Sequence, residues 1–203
     1  MRQNRLFYPK QLYMRNILLL AITCLVGLPM LSQYEYEPSK EHPYGRLNPN
    51  APKETADYAP LIGRCKCKSV ARNPNQTWGD TLTMYWTFKY IMNGNGVQDE
   101  TLKEDGAYSG SIRQFIPDSS KWYVHYYSHL GPNPVLPAWS GNRKGDSIVL
   151  YRPQKAPNGM DGFFKITFSE IRTTGFKWLG EWVSPNEAIR YPTWQIFCVK
   201  EEE

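Results

Sequence analysis

The sequence predicts an all-β fold, an antiparallel up-and-down closed barrel of about eight to ten strands. Apolar and polar residues alternate in several short segments, which is typical of half-buried strands. Turn-forming residues separate these segments, and the chain contains 15 Gly and 16 Pro. No segment has the three-and-four apolar spacing of a long amphipathic helix. Strands that pair in sequence order must protect their edges, which favours a closed barrel, with a sandwich as the alternative.

The N-terminus has the pattern of an export signal. An apolar run at residues 17–31 follows a basic flank and ends at Ser32. This pattern predicts a signal peptide over residues 1–32, with Met14 as an alternative start that would make the signal more compact. A membrane span needs about 20 apolar residues. We therefore expect an extracytoplasmic protein, periplasmic or secreted, without a stable membrane span after cleavage.

The charge distribution argues against nucleic-acid binding. The net charge is +5, but residues 1–32 contain four basic residues and no acidic one. The rest of the chain has 20 basic and 19 acidic residues. No basic patch is left there to contact phosphates, so no nucleic-acid partner is expected.

Composition also divides the remaining chain. Residues 33–60 contain five prolines and scattered charges but no apolar period, which predicts a flexible Pro-rich linker. The barrel domain is predicted at residues 61–200. An acidic tail at residues 201–203 is predicted to be solvated.

The clearest strand covers residues 81–92. One parity is apolar and the other is mostly polar, as expected for a strand with one buried face. The apolar parity consists of Leu82, Met84, Trp86, Phe88, Tyr90 and Met92. Asn93-Gly94-Asn95-Gly96 follows and predicts a tight turn, because Asn and Gly tolerate positive φ.

The same alternation continues to the end of the chain. The Cys65-Lys66-Cys67 segment is predicted to lie on the first strand. Gly, Pro, Asn and Asp separate the later segments, with loops at residues 131–137 and 152–162. Further strands are predicted at residues 97–102, 108–116, 122–127, 147–151, 164–169, 176–183 and 193–200, with a short hairpin before 147.

The spacing of aromatic residues and glycines resembles a known family. The pattern consists of residues 86–90, Gly94, residues 110–115, Trp122, Thr167-Phe168, residues 176–178 and Glu181. Over roughly residues 61–200 it resembles a bacterial family of unknown function in the calycin, or lipocalin-like, superfamily. The resemblance implies a barrel of about ten strands with an internal cavity.

The start of the barrel departs from the superfamily pattern. The superfamily often opens with Gly-x-Trp, whose Trp plugs the barrel floor beneath a basic residue on the last strand. Here Gly63-Arg64-Cys65 stands at that place, and Lys200 has no such Trp to stack on. The resemblance therefore does not supply a plug for this chain.

No residue pattern in the chain indicates catalysis, a metal or a cofactor. His125 and His129 would share a metal on a helix, but on a strand they lie about 13 Å apart, too far for one ion. Either could be an axial haem ligand, although nothing else in the sequence supports haem. The acids Asp99, Glu100, Glu104 and Asp105 cluster around a turn, which is typical of solvated residues.

The aromatic residues carry the functional prediction. Trp86, Trp122 and Trp178, with Arg113, are predicted to line a site for a small apolar or aromatic ligand. The alternative is that aromatics fill the barrel. Arg113 shares its parity with Phe115, so it is either a surface residue or an inward one that needs a partner, for which Glu181 is a candidate.

The predicted function is therefore a non-catalytic, exported ligand-binding barrel. One alternative is a secreted enzyme acting on a lipid or an aromatic compound. That alternative would require Arg113, Glu181 and His125 to converge in a cleft. The other alternative is a structural cell-envelope protein with a filled barrel.

Three cysteines follow the signal. Cys65 and Cys67 lie on the predicted first strand and share a face, and Cys198 lies on the last strand. In a closed up-and-down barrel these strands pair at a separation that a disulfide tolerates. Cys198 is therefore predicted to bond with Cys65 or Cys67, in an oxidising compartment. The alternative is three buried, reduced thiols.

Overall fold

The computed structural model describes residues 34–201. The chain divides into two compact units, residues 1–35 and 36–203, and nearly all described residues belong to the second. The predicted signal peptide and the last two residues of the acidic tail lie outside the described part. Within residues 34–201, no helix has the length and apolar character needed to cross a bilayer.

The second unit is a closed barrel of ten antiparallel strands, which confirms the predicted fold class. Each strand pairs with its neighbours in sequence, and the last strand pairs with the first. The strands are β1 Gly63–Ala71, β2 Leu82–Ile91, β3 Gly96–Lys103, β4 Tyr108–Ile116, β5 Lys121–Ser128, β6 Ala138–Lys144, β7 Ser147–Pro153, β8 Phe163–Arg172, β9 Gly175–Val183 and β10 Arg190–Lys200.

Strand alternation places one set of side chains inside the barrel. On β2 every second residue is buried, namely Met84, Trp86, Phe88 and Tyr90. The pairs formed with β1 and β3 put these residues beside Cys65, Cys67, Val97 and Asp99. The core is therefore the interior of the barrel, and it is rich in aromatic rings.

The two ends of the barrel differ in their connections. At the end where β1 begins, short turns such as residues 92–95 and 173–174 join the strands, and a short helix precedes β1. We call this the plugged end. At the other end, the loop end, longer connections include residues 72–81, 129–137, 154–162 and 184–189.

The segment predicted as a flexible linker is folded in the structure from residue 36 onwards. Asn48 N donates to Gly94 O at 3.2 Å, and Tyr90 N donates to Tyr44 O at 2.8 Å. Gly94 has φ +76°, and a Cβ there would collide with Arg46 O and Asn48 N. Composition missed this segment because backbone hydrogen bonds, rather than an apolar period, hold it to the turn after β2.

The same segment ends in a 3₁₀ helix, Lys53–Leu61, which we call the plug helix. Tyr58 and Leu61 on this helix have no solvent exposure. Burial of two large side chains makes the helix part of the core. Residues 53–60 therefore differ in the structure from the flexible linker expected for residues 33–60, because they form most of a helix that packs into the core.

The barrel closes along the pair β1–β10. Cys67 lies directly opposite Cys198 in this pair, and a disulfide joins them with a Cα–Cα distance of 4.1 Å. Cys65 lies opposite Lys200 and is a buried free cysteine. Burial raises the pKa of the Cys65 thiol to about 11, so this thiol stays protonated at neutral pH.

Candidate functional site

The barrel interior contains a cavity of about 310 Å³. It extends from Asp99 and Arg113 towards Ser109, Pro137 and Arg152, which lie at or beside strand ends next to the loop end. This volume is at the lower end of the range for small-molecule sites, about 300–1,000 Å³. The apolar part of the wall is formed by Met84, Trp86, Val124, Trp139, Leu150, Phe164, Ile166, Phe168, Trp178, Trp194 and Ile196.

A buried ion pair forms the deep polar part of the cavity. Arg113 Nη1 donates to Asp99 Oδ1, and each side chain is only 3% exposed. Trp86 Nε1 donates to the other carboxylate oxygen of Asp99 at 2.6 Å. The arginine and the carboxylate therefore balance each other's charge, and the indole satisfies the remaining oxygen.

The structure corrects two expectations about this pair. Glu181 is not the partner of Arg113, because Arg190 Nη2 donates to Glu181 Oε1 at 2.5 Å. Asp99 is not a solvated turn residue but the partner itself. Alternation along β3, where Val97, Asp99 and Thr101 share the buried face, was the sequence signal that could have identified Asp99.

Aromatic rings surround the Arg113 guanidinium. Its carbon lies 5.1 to 5.8 Å from the ring centroids of Phe88, Tyr58 and Phe168. Burial lowers the pKa of Arg113 from its ordinary value, while Asp99 supplies the compensating charge. Within the described residues, Arg113 Nε has no hydrogen-bond partner. The Asp99–Arg113 pair at the deep end therefore has no net charge.

Tyr58 closes the barrel below this pair. Its ring packs edge-on against Trp122, with centroids 4.7 Å apart, and against Phe168 at 6.2 Å. Trp122 Nε1 donates to Asp57 Oδ2 at 3.1 Å, which ties β5 to the plug helix. The helix therefore supplies the plug that the Gly63-Arg64-Cys65 start of β1 lacks.

Lys200 also contacts the plug helix. Its Nζ donates to Pro60 O at 3.2 Å. The basic residue on the last strand thus binds a helix carbonyl near the C-terminal end of the helix, where a positive charge is favourable.

A second arginine, Arg152, lies near the loop end of the cavity. Its guanidinium carbon is 4.4 Å from the ring centroid of Trp139, and Nη2 donates to Gln154 Oε1 at 2.8 Å. Trp182 Nε1 donates to Gln154 O at 2.9 Å, which holds the backbone of that residue. Burial lowers the pKa of Arg152 from its ordinary value. Arg152 therefore contributes a positioned, half-buried positive charge.

Three of the four predicted ligand-binding residues meet at the cavity. Trp86, Arg113 and Trp178 line it together. Trp122 does not line the cavity, since it packs against Tyr58 and Phe115 nearer the plugged end. The spacing of aromatic residues in the sequence could not indicate how deep along the barrel Trp122 lies.

The residues required by the enzyme and metal alternatives do not converge. His125 and His129 are exposed and are absent from the cavity wall. Glu181 is also absent from that wall and is bound to Arg190. Among residues 34–201, no group of three or more His, Cys, Asp and Glu side chains has a metal-binding arrangement.

Sequence reasoning missed Arg152 and Tyr58 as parts of the site. Arg152 follows Ile148 and Leu150 at two-residue spacing, so extending the β7 alternation by one step would have placed it inside. Tyr58 had no such signal, because it lies in a short Pro-containing helix without an apolar period.

No protein-family model matches the chain, and no curated protein matches it. The closed ten-strand antiparallel barrel is compatible with a calycin-like fold. The geometry of the cavity is therefore the basis for assigning a function.

Proposed function

We propose that this protein is an exported, non-catalytic, lipocalin-like barrel that binds a small apolar or aromatic ligand. The observation that carries the proposal is the cavity of about 310 Å³ with its largely aromatic wall. Trp86, Trp178 and Phe168 would contact the ligand body. Aromatic walls with a few positioned polar groups are typical of small-molecule sites.

The cavity volume favours ligand binding over a purely structural barrel. A filled barrel would leave voids of at most a few water molecules, each of which takes up about 30 Å³ in the liquid. The observed cavity has roughly ten times the liquid-state volume of one water molecule. Its apolar wall would bind water poorly, so displacement of water by an apolar ligand should be favourable.

The arrangement of charged groups favours binding over catalysis. Asp99, the acid on the cavity wall, is held by Arg113 and Trp86 and is therefore a poor general base. Of the three residues that the enzyme alternative requires, only Arg113 lines the cavity, whereas His125 is exposed and Glu181 is bound to Arg190. A secreted enzyme acting on a lipid or an aromatic compound remains the second candidate.

Two observations support an extracytoplasmic location. The apolar run at residues 17–31 has the pattern of a signal peptide. The Cys67–Cys198 disulfide suits an oxidising compartment, where such bonds persist. Membership of the calycin superfamily is part of the same proposal, and the ten-strand closed barrel supports it.

The first test uses N-phenyl-1-naphthylamine, an uncharged probe that fluoresces in apolar sites. Ile166→Trp would fill part of the cavity, whereas Ile112→Trp adds the same ring at an exposed position, 38% accessible, on β4. We expect the wild type and Ile112→Trp to bind the probe. In Ile166→Trp the affinity should fall about tenfold or more, which corresponds to about 1.4 kcal/mol.

Circular dichroism melts establish that both variants are folded before titration. Equal probe affinity in all three proteins would place the probe outside the cavity and contradict the proposal. Absence of binding in all three would favour the structural alternative. Native mass spectrometry of protein purified from its own host would detect the natural ligand as a co-purifying small molecule.

A further inference from the structure

The two arginines on the cavity wall differ in what balances their charge. Arg113 at the deep end is paired with Asp99. For Arg152, no carboxylate lies within ion-pair distance among residues 34–201; its contacts are the Trp139 ring and the Gln154 amide oxygen. A half-buried cation beside an apolar cavity is therefore left without a counter-charge.

The geometry of Arg152 prepares it to bind an anion. Stacking on Trp139 fixes the plane of the guanidinium, and Gln154 accepts from only one of its nitrogens, Nη2. Within the described chain, no protein acceptor engages Nε or Nη1. A guanidinium with free donors in a fixed plane matches the geometry of carboxylate, sulfonate and phosphate groups.

Trp139 provides an independent observation at the same place. Its side chain is 7% exposed and lines the cavity. Within the described residues its indole Nε1 is buried without a hydrogen-bond acceptor. Trp139 therefore combines a ring face that stacks on Arg152 with a buried donor that the described protein leaves unsatisfied.

From these observations we propose that the natural ligand is an amphipathic anion. Arg152, stacked on Trp139, binds its carboxylate, sulfonate or phosphate monoester group at the loop end. The apolar body extends inward along the cavity wall that Trp86 and Trp178 form together. This inference rests on the proposed function, because it assigns the ligand class and orientation at the same cavity.

The opposite orientation is disfavoured by the deep ion pair. An anionic group placed next to Arg113 would also lie next to Asp99, and like charges at short range in a low-dielectric interior repel strongly. A neutral group has no such penalty. The anionic group is therefore expected at Arg152.

The test compares two probes with the same aromatic body. N-phenyl-1-naphthylamine is uncharged, and 8-anilinonaphthalene-1-sulfonate carries a sulfonate on that skeleton. Arg152→Gln removes the charge at the cavity. Arg172→Gln is the matched control, because Arg172 is an exposed arginine at the other end of the same barrel. Each protein is titrated with each probe at fixed ionic strength.

We expect Arg152→Gln to weaken sulfonate binding about tenfold or more, the loss typical of a charge-assisted hydrogen bond. Binding of the uncharged probe should change less than about twofold. Arg172→Gln should change neither affinity.

The outcomes separate this inference from the proposed function. If the uncharged probe binds but Arg152→Gln leaves the sulfonate affinity unchanged, the anion-binding role of Arg152 is overturned and the cavity function stands. If Arg152→Gln weakens both probes equally, its role is structural and the inference also fails. If neither probe binds the wild type, the cavity function itself fails.

Discussion

The plugged end and the loop end belong to the same ten-strand barrel, yet they differ in how far they are covered. At the plugged end, Tyr58 and Leu61 from a helix outside the sheet are fully buried. At the loop end, the connections are longer, and Phe164 and Trp194 on the cavity wall remain partly exposed. The plugged end is therefore part of the hydrophobic core, and the loop end gives access to the cavity.

This difference shows that the strands alone do not decide whether the barrel is filled. Closure of the sheet removes exposed edges but leaves both ends to be covered by other segments. The two arginines on the cavity wall follow the same division, since Arg113 near the plugged end is paired with Asp99, whereas Arg152 at the loop end has no carboxylate partner among residues 34–201. Stability should therefore depend more on residues near the plugged end.

The largest expected effect concerns the barrel seam. The Cys67–Cys198 disulfide lies two residues from the Cys65–Lys200 pair near the plugged end and joins residues 131 apart in sequence. In the chain-entropy account, loss of this bond in a Cys67→Ala, Cys198→Ala double variant should lower the free energy of unfolding by about 4–5 kcal/mol. Urea unfolding of oxidised protein measures the change.

Cys65→Ala is the control for this experiment, because it removes a buried thiol and leaves the bond intact. Its effect should be much smaller than that of the double variant. Equal midpoints for the double variant and the wild type would show that the bond does not form in solution.

The next expected effect concerns the deep ion pair. Asp99→Asn would leave Arg113 buried without a counter-charge, which typically costs about 3–5 kcal/mol. Glu100→Gln is a matched control, since Glu100 is the next residue on β3, about one-third exposed, and loosely paired with Lys89 at 3.8 Å. The control should change stability by less than about 1 kcal/mol. Similar losses in both variants would contradict the role assigned to Asp99.

Removal of the plug itself should have a somewhat smaller effect. Tyr58→Ala deletes a fully buried ring that packs on Trp122 and Phe168. We expect a loss of about 3 kcal/mol, in the range for large-to-small changes of buried aromatic residues. Tyr108→Ala, at a partly exposed position next to the loop end, should cost less than about 1 kcal/mol. If Tyr58→Ala and Tyr108→Ala lower the stability by the same amount, the two ends do not differ in their contribution to stability.

The smallest expected effect is a pH dependence at the loop end. Hydrogen bonds donated by Lys165 and Tyr151 lower the pKa of Glu187 below its ordinary value of 4.5. A lowered pKa in the folded state stabilises the fold above the unfolded-state value, and this contribution is lost as the pH falls through the folded value. Carboxyl NMR titration should therefore place the Glu187 pKa below 4.5, and Lys165→Met should raise it. An unchanged titration in that variant would contradict the ion pair.

The wall of the barrel was predictable because its signal is local. Alternation along residues 81–92 correctly placed Trp86 and Phe88 inside, and the Asn93–Gly96 turn followed from residue type. The first-to-last strand pairing followed from the closure argument. The choice between Cys65 and Cys67 did not follow, because it depends on the β1–β10 register, which a single sequence does not encode locally.

The ends of the barrel were less predictable for physical reasons. Tyr58 is buried through contacts with distant strands, and its own helix has no apolar period. Asp99 has a residue type that is usually exposed, and its contacts with Arg113 and Trp86 make burial tolerable. Such features depend on which residues meet in space, so they required the structure.

The pairing of β1 with β10 has a consequence for the order of folding. Neighbouring hairpins such as β2–β3 close short loops, but the β1–β10 pair brings together residues separated by most of the chain. Long loops are closed at a greater entropic cost, and contacts of this kind form slowly. The Cys67 and Cys198 thiols should therefore meet only after the intervening hairpins have assembled. Their disulfide bond would then form late and stabilise the assembled barrel, rather than direct its assembly.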